Sequence, residues 1–411
     1  MSKRSARAAF GGSDTKKFKQ STLGFEDKLS ASGNWNESSN LLIYKDPNAK
    51  PSSKVLALDL DGTIITTASG RVFAVNANDW KLLSPKITDI LKKYTDDGFA
   101  IVIISNQGGL EKDSNRRIPE FKMKFNSIAA KLGVPLRGYF ATSNDRLRKP
   151  RIGMWETLES DNDGIDINLM ESIYCGDAAG RDARGNVKKD HSHCDRLFAL
   201  NVGITFKTPE ELWDGNDTGY STYPLLFDVT KFRDSFDDGV DPVPSTLKDL
   251  KSSVLVIMVG FPASGKSTFC NNYLQNIGFQ IVSRDTIKDM KKCISTCQNL
   301  LKSGSSVVID NTNVDASSRS SFLNVAKNLG IPAYACVLKT SLDHARHNEV
   351  FRQITCKDHS KISSMVFNMM KSKYQAPTKK EGFTDIFEIP FIPKHSSQTH
   401  RELYFQHLLE K

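Results

Sequence analysis

Val254-Leu255-Val256-Ile257-Met258-Val259-Gly260-Phe261-Pro262-Ala263-Ser264-Gly265-Lys266-Ser267-Thr268 is an apolar run that ends in a glycine-bounded loop. A short apolar run closed by a turn signal reads as a buried strand. The loop fills every position of the Gly-x4-Gly-Lys-Ser pattern, and a helix is expected to follow it. Strand, loop and helix in that order open an α/β domain with a parallel sheet. The glycines let successive N–H groups point at phosphate oxygens, and the helix N-terminus adds a favourable dipole. In this cradle Gly260 and Gly265 shape the backbone and Thr268 completes the nucleotide-binding set. Lys266 would neutralise the β- and γ-phosphates of a nucleotide, and Ser267 would ligate Mg²⁺.

C-terminal to the cradle the strand series continues with Gln280 to Val282, Val307 to Ile309 and Ala335 to Leu338. Ser283-Arg284-Asp285-Thr286 follows the first of these. A carboxylate there can take the proton of an attacking hydroxyl, which makes Asp285 the candidate base of a kinase. Asp310 ends the next strand and has two readings, a structural cap or a member of the outer shell of Mg²⁺. His344-Ala345-Arg346-His347-Asn348 and Arg352 form a basic helical stretch. It is either a solvated face or a lid whose arginines close over the phosphates, and the lid is preferred, with Arg346 ahead of Arg352.

N-terminal to the cradle, residues 228 to 253 are acidic and punctuated by Pro and Gly, as a connector would be. Upstream lies a second series of apolar runs, Val55 to Leu58, Phe99 to Ile104, Ile173 to Cys175 and Phe198 to Ile204. Phe121, Phe125, Ile128 and Leu132 recur at helical spacing and stop at Gly133, a natural helix terminator. Ser84-Pro85 and Thr208-Pro209-Glu210-Glu211 read as helix starts, the second with its Glu at the capping-box position. The expected architecture is α/β, with two doubly wound parallel-sheet domains at 51–228 and 253–411. A linker at 229–252 joins them. A disordered basic arm at 1–50 precedes them, with Trp35 and Leu41 to Tyr44 docking on the first domain.

The first domain carries its own chemistry. Leu58-Asp59-Leu60-Asp61-Gly62-Thr63 ends its first strand. An EF-hand would need a bidentate Glu where Gly70 stands, so calcium is rejected. The run matches the DxDGT signature of the haloacid-dehalogenase phosphatases, and the remaining elements follow in order at Ser105, at Arg148-Lys149-Pro150 and at Cys175-Gly176-Asp177. Asp59 would attack phosphorus. Asp61 would protonate the leaving oxygen and then activate water. Ser105 and Lys149 would hold the phosphoryl oxygens. Asp177 would join Asp59 and the Asp61 carbonyl around Mg²⁺. Asp182 is a ligand or only a loop acid. About 40 residues separate Thr63 from Ser105, and a similar stretch lies between Gln107 and Lys149. That leaves no source for a large cap, and an uncapped site suits a polymer end better than a small metabolite.

The chain of 411 residues carries a net charge of +9, with Lys3, Arg4, Arg7, Lys16, Lys17 and Lys19 against Asp14 in the first twenty positions. Such a balance favours a polyanionic partner. Seven scattered cysteines without a CxxC read as reduced thiols in a cytosolic or nuclear protein. No apolar stretch approaches a membrane span, and the first residues are not a secretory signal.

Taken together, the halves resemble the bifunctional polynucleotide kinase 3′-phosphatases of DNA end repair, with domain order as in the animal and fungal enzymes. The shared phrases include Asp59-Leu60-Asp61-Gly62-Thr63-Ile64, Asp195-Arg196-Leu197-Phe198-Ala199-Leu200-Asn201 and Val308-Ile309-Asp310-Asn311-Thr312-Asn313. The resemblance implies removal of 3′-phosphates and ATP-dependent phosphorylation of 5′-hydroxyls at DNA strand-break termini by a nuclear, monomeric enzyme. It carries over Asp59 and Asp61, Lys266 and Ser267, and Asp285. Two departures stand out. Fifty residues cannot form the forkhead-associated domain that opens animal members. The phage kinase has Arg three residues after its base where this chain has Lys288, so Arg284 is the other candidate for that work. An RNA or small-nucleotide end-healing enzyme is the runner-up, and a scaffold of inactive domains is the reading from another class.

Overall fold

The computed structural model describes residues 33–183, 185, 188–233, 241–249 and 252–411. The basic arm expected at the N-terminus lies outside the described residues as far as position 32.

Fourteen strands are found among the described residues: β1 Asn34–Ser38, β2 Leu41–Lys45, β3 Val55–Leu58, β4 Ile65–Thr66, β5 Lys81–Leu82, β6 Ala100–Asn106, β7 Leu136–Ala141, β8 Ile173–Cys175, β9 Thr205–Lys207, β10 Leu255–Val259, β11 Gln280–Val282, β12 Val307–Ile309, β13 Ala333–Leu338 and β14 Asp385–Ile389. Seven of them form one sheet in the order β1-β2-β7-β6-β3-β8-β9. Five form a second, β11-β12-β10-β13-β14, and β4 pairs with β5. The second sheet is parallel throughout. The first is parallel except at the edge carrying β1 and β2.

The apolar runs that announced β3 and β10 serve two faces at once. Leu56 and Leu58 point into a cluster with Phe121, Phe125 and Leu132, while Val55 and Ala57 meet Trp155 and Phe198 on the other side. Leu255 and Ile257 pack on Phe322, and Val256 and Met258 on Phe269 and Leu274. A strand buried on both faces has no polar alternation, which is why each run is continuous. Each also sits where the chain order reverses, β3 between β6 and β8 and β10 between β12 and β13. A crevice opens at the carboxyl end of a strand so placed.

Three expectations change. Residues 34–45 are not disordered: they add the antiparallel edge to the first sheet. Trp35 packs edge-on against Tyr44 and Phe125, and its Nε1 donates to Asn126 at 3.0 Å. The run Phe198 to Ile204 is mostly helix (Cys194–Val202), with the strand displaced to Thr205–Lys207. Length and apolarity alone do not separate a buried helix from a buried strand. The connector is shorter than 229–252, because Val243 and Leu247, one helical turn apart, are buried in the second domain's core. The helix Ser114–Leu132 ends at Gly133 (φ +67°), and Thr208 and Glu211 close a capping box, both as read.

Among the described residues no helix is long and apolar enough to cross a membrane, and six of the seven cysteines are buried free thiols.

Candidate active sites

Asp59 leaves the end of β3 with its N–H on the Cys175 carbonyl of β8, which aims its carboxylate into the crevice. Lys149 lies buried beneath it. Its Nζ donates to Asp59 Oδ1 at 2.7 Å, to Asp195 Oδ1 at 2.7 Å and to the Tyr174 hydroxyl at 2.6 Å. Asn106 clamps the Lys149 backbone in both directions, at 2.9 and 3.1 Å. Burial favours a neutral lysine, but the carboxylates of Asp195 and Asp59 outweigh it, so Lys149 stays charged well above neutral pH. Asp195 accepts hydrogen bonds from Lys149, Tyr174 and the Ala178 N–H. It is a clamp for the lysine.

Asp59, Asp177 and Asp195 offer oxygens that lie within 4.8 Å of one another. Burial raises the Asp59 carboxyl to about 6, with Asp195 and Asp61 adding to the shift and Lys149 opposing it. Asp177 is pushed up by burial and by the acids Asp195, Asp59 and Asp190, and His191 Nδ1 stands 3.9 Å from its carboxylate. Desolvated carboxylates sharing one ammonium call for a further cation. Hard oxygens from Asp59 and Asp177 suit Mg²⁺. Gly62 (φ +88°) runs so close beneath that a Cβ would stand 2.6 Å from the Asp177 carboxylate, so the DxDG glycine is required twice over.

Asp61 turns the other way. Its carboxylate is half exposed and takes hydrogen bonds from Gln107 Nε2 (2.8 Å) and Lys124 Nζ (3.3 Å). In a metal shell its remaining contribution is the main-chain carbonyl. Ser105 Oγ, buried at the end of β6, accepts from Gln107 at 3.2 Å. These groups share a cavity of about 520 Å³ whose rim carries Arg117, Lys124 and Arg148. Across it stands the tip of the β4–β5 loop. Asp79 ties that loop together through Ser69 and Val75, leaving Val72 and Phe73 exposed. This small hairpin is all that rises from the segment between Thr63 and Ser105.

In the second domain the loop after β10 turns through Ala263 (φ +55°) and Gly265 (φ +97°) into the helix that begins at Lys266. Lys266 is buried, and its Nζ donates to the carbonyls of Gly260 (3.0 Å) and Phe261 (2.6 Å). Burial lowers its pKa to about 8, with Asp310 and Asp285 opposing. Asp310 stands near Lys266 and Ser267, and burial raises its carboxyl while both neighbours oppose the shift. Asp285 is exposed, and its N–H is capped by the Ser283 hydroxyl at 3.2 Å. The Arg284 N–H beside it donates to Asn311 at 2.9 Å, tying this turn to the strand end that bears Asp310. A cavity of about 300 Å³ is lined by residues 263–268, Asn348, Phe351, Arg352, Tyr404 and residues 391–395. Asn348 Nδ2 braces the Ala263 carbonyl at 2.9 Å, and Tyr404 holds Asn348 in turn at 2.8 Å.

Two family models match the chain, "Polynucleotide kinase 3 phosphatase" over residues 54–213 and "AAA domain" over residues 255–377. A bifunctional polynucleotide phosphatase/kinase of Schizosaccharomyces pombe is 37% identical over 358 residues, covering 87% of this chain and 84% of the relative. This chain belongs to that bifunctional family. A putative member from Acanthamoeba polyphaga mimivirus is 29% identical over 89% of this chain and 92% of its own. The polynucleotide 3′-phosphatase of Saccharomyces cerevisiae is 30% identical over 39% of this chain and 87% of its own.

Within this phosphatase/kinase the structure brings Asp59, Asp61, Ser105, Lys149 and Asp177 to one cavity and Gly265, Lys266, Ser267, Thr268 and Arg352 to the other. It does not bring Arg346 to the phosphate loop. That guanidinium pairs with Asp343 (2.9 Å) and Asn368 (2.7 Å) and lines a separate cavity with Arg151. Helical spacing explains the reversal: Asn348 and Arg352 share one face, and Arg346 lies half a turn away. Asp182 is a loop acid, paired with Lys189 on the surface. Missed in the sequence were the clamp role of Asp195 and the wall at 391–395. The first had a signal in the phrase Asp195 to Asn201 that carries the family resemblance but none in its spacing, since its partner is 46 positions away.

His344 and His347 are kept neutral by burial, at about 4 and about 3, and both contact Tyr404. The unfolded chain takes up their protons below about pH 6.5. The kinase half should therefore lose stability as pH falls from 6.5, by up to about 2 kcal/mol per histidine at pH 5. Thermal loss of ATP binding should come earlier at pH 5 than at pH 7. Tryptophan fluorescence, which reports the first domain because Trp35, Trp80, Trp155 and Trp213 all lie there, should not follow the same curve.

Proposed function

We propose that this enzyme heals DNA strand breaks by removing 3′-phosphates and phosphorylating 5′-hydroxyls with ATP, in the nucleus and as a monomer. The observation that carries the choice of a polymer end is the phosphatase cavity, over which the described residues build no large cap. Arg117, Lys124 and Arg148 on its rim suit backbone phosphates, and Phe73 offers a ring on which a terminal base can stack.

In the phosphatase, the Asp59 carboxylate attacks phosphorus and the bond to the 3′ oxygen breaks as Asp61 delivers its proton to that oxygen. Water then attacks the aspartyl-phosphate while Asp61 takes the proton back. Lys149 and Ser105 hold the phosphoryl oxygens. Asp59, Asp177 and the Asp61 carbonyl would hold Mg²⁺, which when bound would neutralise charge on the phosphoryl oxygens. In the kinase, Asp285 takes the proton of the 5′-hydroxyl as its oxygen attacks the γ-phosphorus and the bond to the β-phosphate oxygen breaks, releasing ADP. Lys266 and Arg352 meet the charge on the phosphates, and Asp310 orients Ser267, the residue that would ligate Mg²⁺.

Matched DNA and RNA duplex nicks bearing 3′-phosphate and 5′-hydroxyl ends test this reading. Turnover of both ends should be at least tenfold faster on DNA. Faster turnover on RNA would overturn the DNA assignment, and turnover confined to mononucleotides would overturn the polymer assignment.

A further inference from the structure

Beyond the helix Gln398–Tyr404, which packs beside the phosphate loop through Tyr404, the chain crosses to the other domain. The His407 N–H donates to Asn201 Oδ1 at 2.6 Å, and Asn201 Nδ2 donates back to the His407 carbonyl at 3.2 Å. The same Nδ2 reaches the Pro150 carbonyl at 2.8 Å, one residue from Lys149. Leu408 and Leu409 are buried. Glu410 then takes two hydrogen bonds from the loop before the helix Cys194–Val202: its carbonyl from the His193 N–H at 3.1 Å, and its Oε2 from the Ser192 hydroxyl at 3.2 Å.

That hydroxyl has a second task. Ser192 Oγ accepts the Cys194 N–H at 3.0 Å, at the first turn of the helix whose next residue is Asp195. Asp195 holds Lys149, and Lys149 holds Asp59, each at 2.7 Å. The tail thus grips the lysine–aspartate pair from two sides, at Pro150 through Asn201 and at Ser192 through Glu410. Every one of these tail residues lies beyond the kinase sheet in the chain.

We infer that Glu410 is a positioning residue for the phosphatase, acting through Ser192 on the Asp195–Lys149 clamp, so that a segment following the kinase fold sets the rate of the other active site. This rests on the reading of Lys149 as the residue that holds the phosphoryl group. Glu410 also lines the phosphatase cavity. A role through charge alone would run the other way, because removing a negative charge there eases the approach of a phosphate and lowers KM.

The test uses the full chain with Glu410→Ala, Glu410→Gln, Ser192→Ala and the double variant Ser192→Ala/Glu410→Ala, assayed for both activities on a DNA nick, with Asp59→Asn as the blank. Glu410→Ala should lower phosphatase kcat about 5- to 10-fold, the range of one hydrogen bond of ordinary net strength. KM should change less than twofold and kinase turnover not at all, which also reports correct folding. Glu410→Gln keeps an acceptor for Ser192 and should stay within twofold of wild type. The double variant should be no slower than the slower single variant, as residues acting in one chain require. Wild-type kcat in Glu410→Ala, an equal fall in Glu410→Gln, or additive losses would each overturn the inference. Retained turnover in Asp59→Asn would instead remove the site reading on which it stands.

Discussion

Asp59→Asn is expected to lower 3′-phosphatase turnover by at least about 10³-fold, the order seen when a covalent nucleophile is removed, while kinase turnover stays near wild type. Asparagine keeps an oxygen for Lys149 Nζ, so the clamp made by Lys149, Asp195 and Tyr174 has no reason to open. What is lost is the nucleophilic carboxylate. The ionised form of Asp59 is disfavoured by burial and by the neighbouring acids, so its neutral replacement relieves an unfavourable charge cluster. In metal-free buffer the variant should melt no lower than wild type. Loss of activity with unchanged or raised stability separates a chemical role from a structural one. Retained phosphatase turnover would remove the covalent mechanism.

Asp285→Asn should cut phosphoryl transfer by about 10²–10⁴-fold, the usual contribution of a positioned general base, with ATP affinity close to wild type. The structure gives the second half of that expectation a basis. Asp285 is exposed and does not line the cavity formed by the phosphate loop, Arg352 and residues 391–395. Asp310, a buried carboxylate beside Lys266 and Ser267, is the acid whose loss should instead weaken metal-dependent ATP binding. If Asp285 were structural, stability and ATP affinity would fall together. If it were only a metal ligand, excess Mg²⁺ would restore part of the rate. Single-turnover transfer and ATP binding on one purified variant distinguish these, and a rate loss below tenfold would refute the base.

The residues legible in the sequence are those whose roles are set by short spacing. Asp59 and Asp61 sit two apart at the end of an apolar run, and Gly265-Lys266-Ser267 follows another, so strand end and chemistry are read together. Arg346 and Arg352 lie on different faces of one helix, and nothing local says that the face turned to the phosphate loop is the one carrying Asn348, which touches the Ala263 carbonyl. Asp195, the 391–395 wall and the tail at 407–410 act through partners far along the chain, and the Ser192–Glu410 bond spans 218 positions. Their role exists only once both sheets are assembled. The edge strand β1 was hidden for a different reason. Asn34, Asn36, Glu37 and Ser38 are polar because they sit at an exposed edge, and only the packing of Trp35 ties them to the core. Polar composition there reflects edge position, which blunts pairing with other chains.

Whether two independent sites in one chain prepare both sides of a break can be read from complementation on a nicked DNA duplex. The duplex carries 3′-phosphate and 5′-hydroxyl ends, and the readout is whether a DNA ligase can seal it. Wild-type enzyme should make the nick sealable, and Asp59→Asn or Lys266→Ala alone should not. An equimolar mixture of the two variants should restore sealing, because each supplies the activity the other lacks. A mixture that leaves the nick unsealed while both variants melt as wild type does would contradict the account.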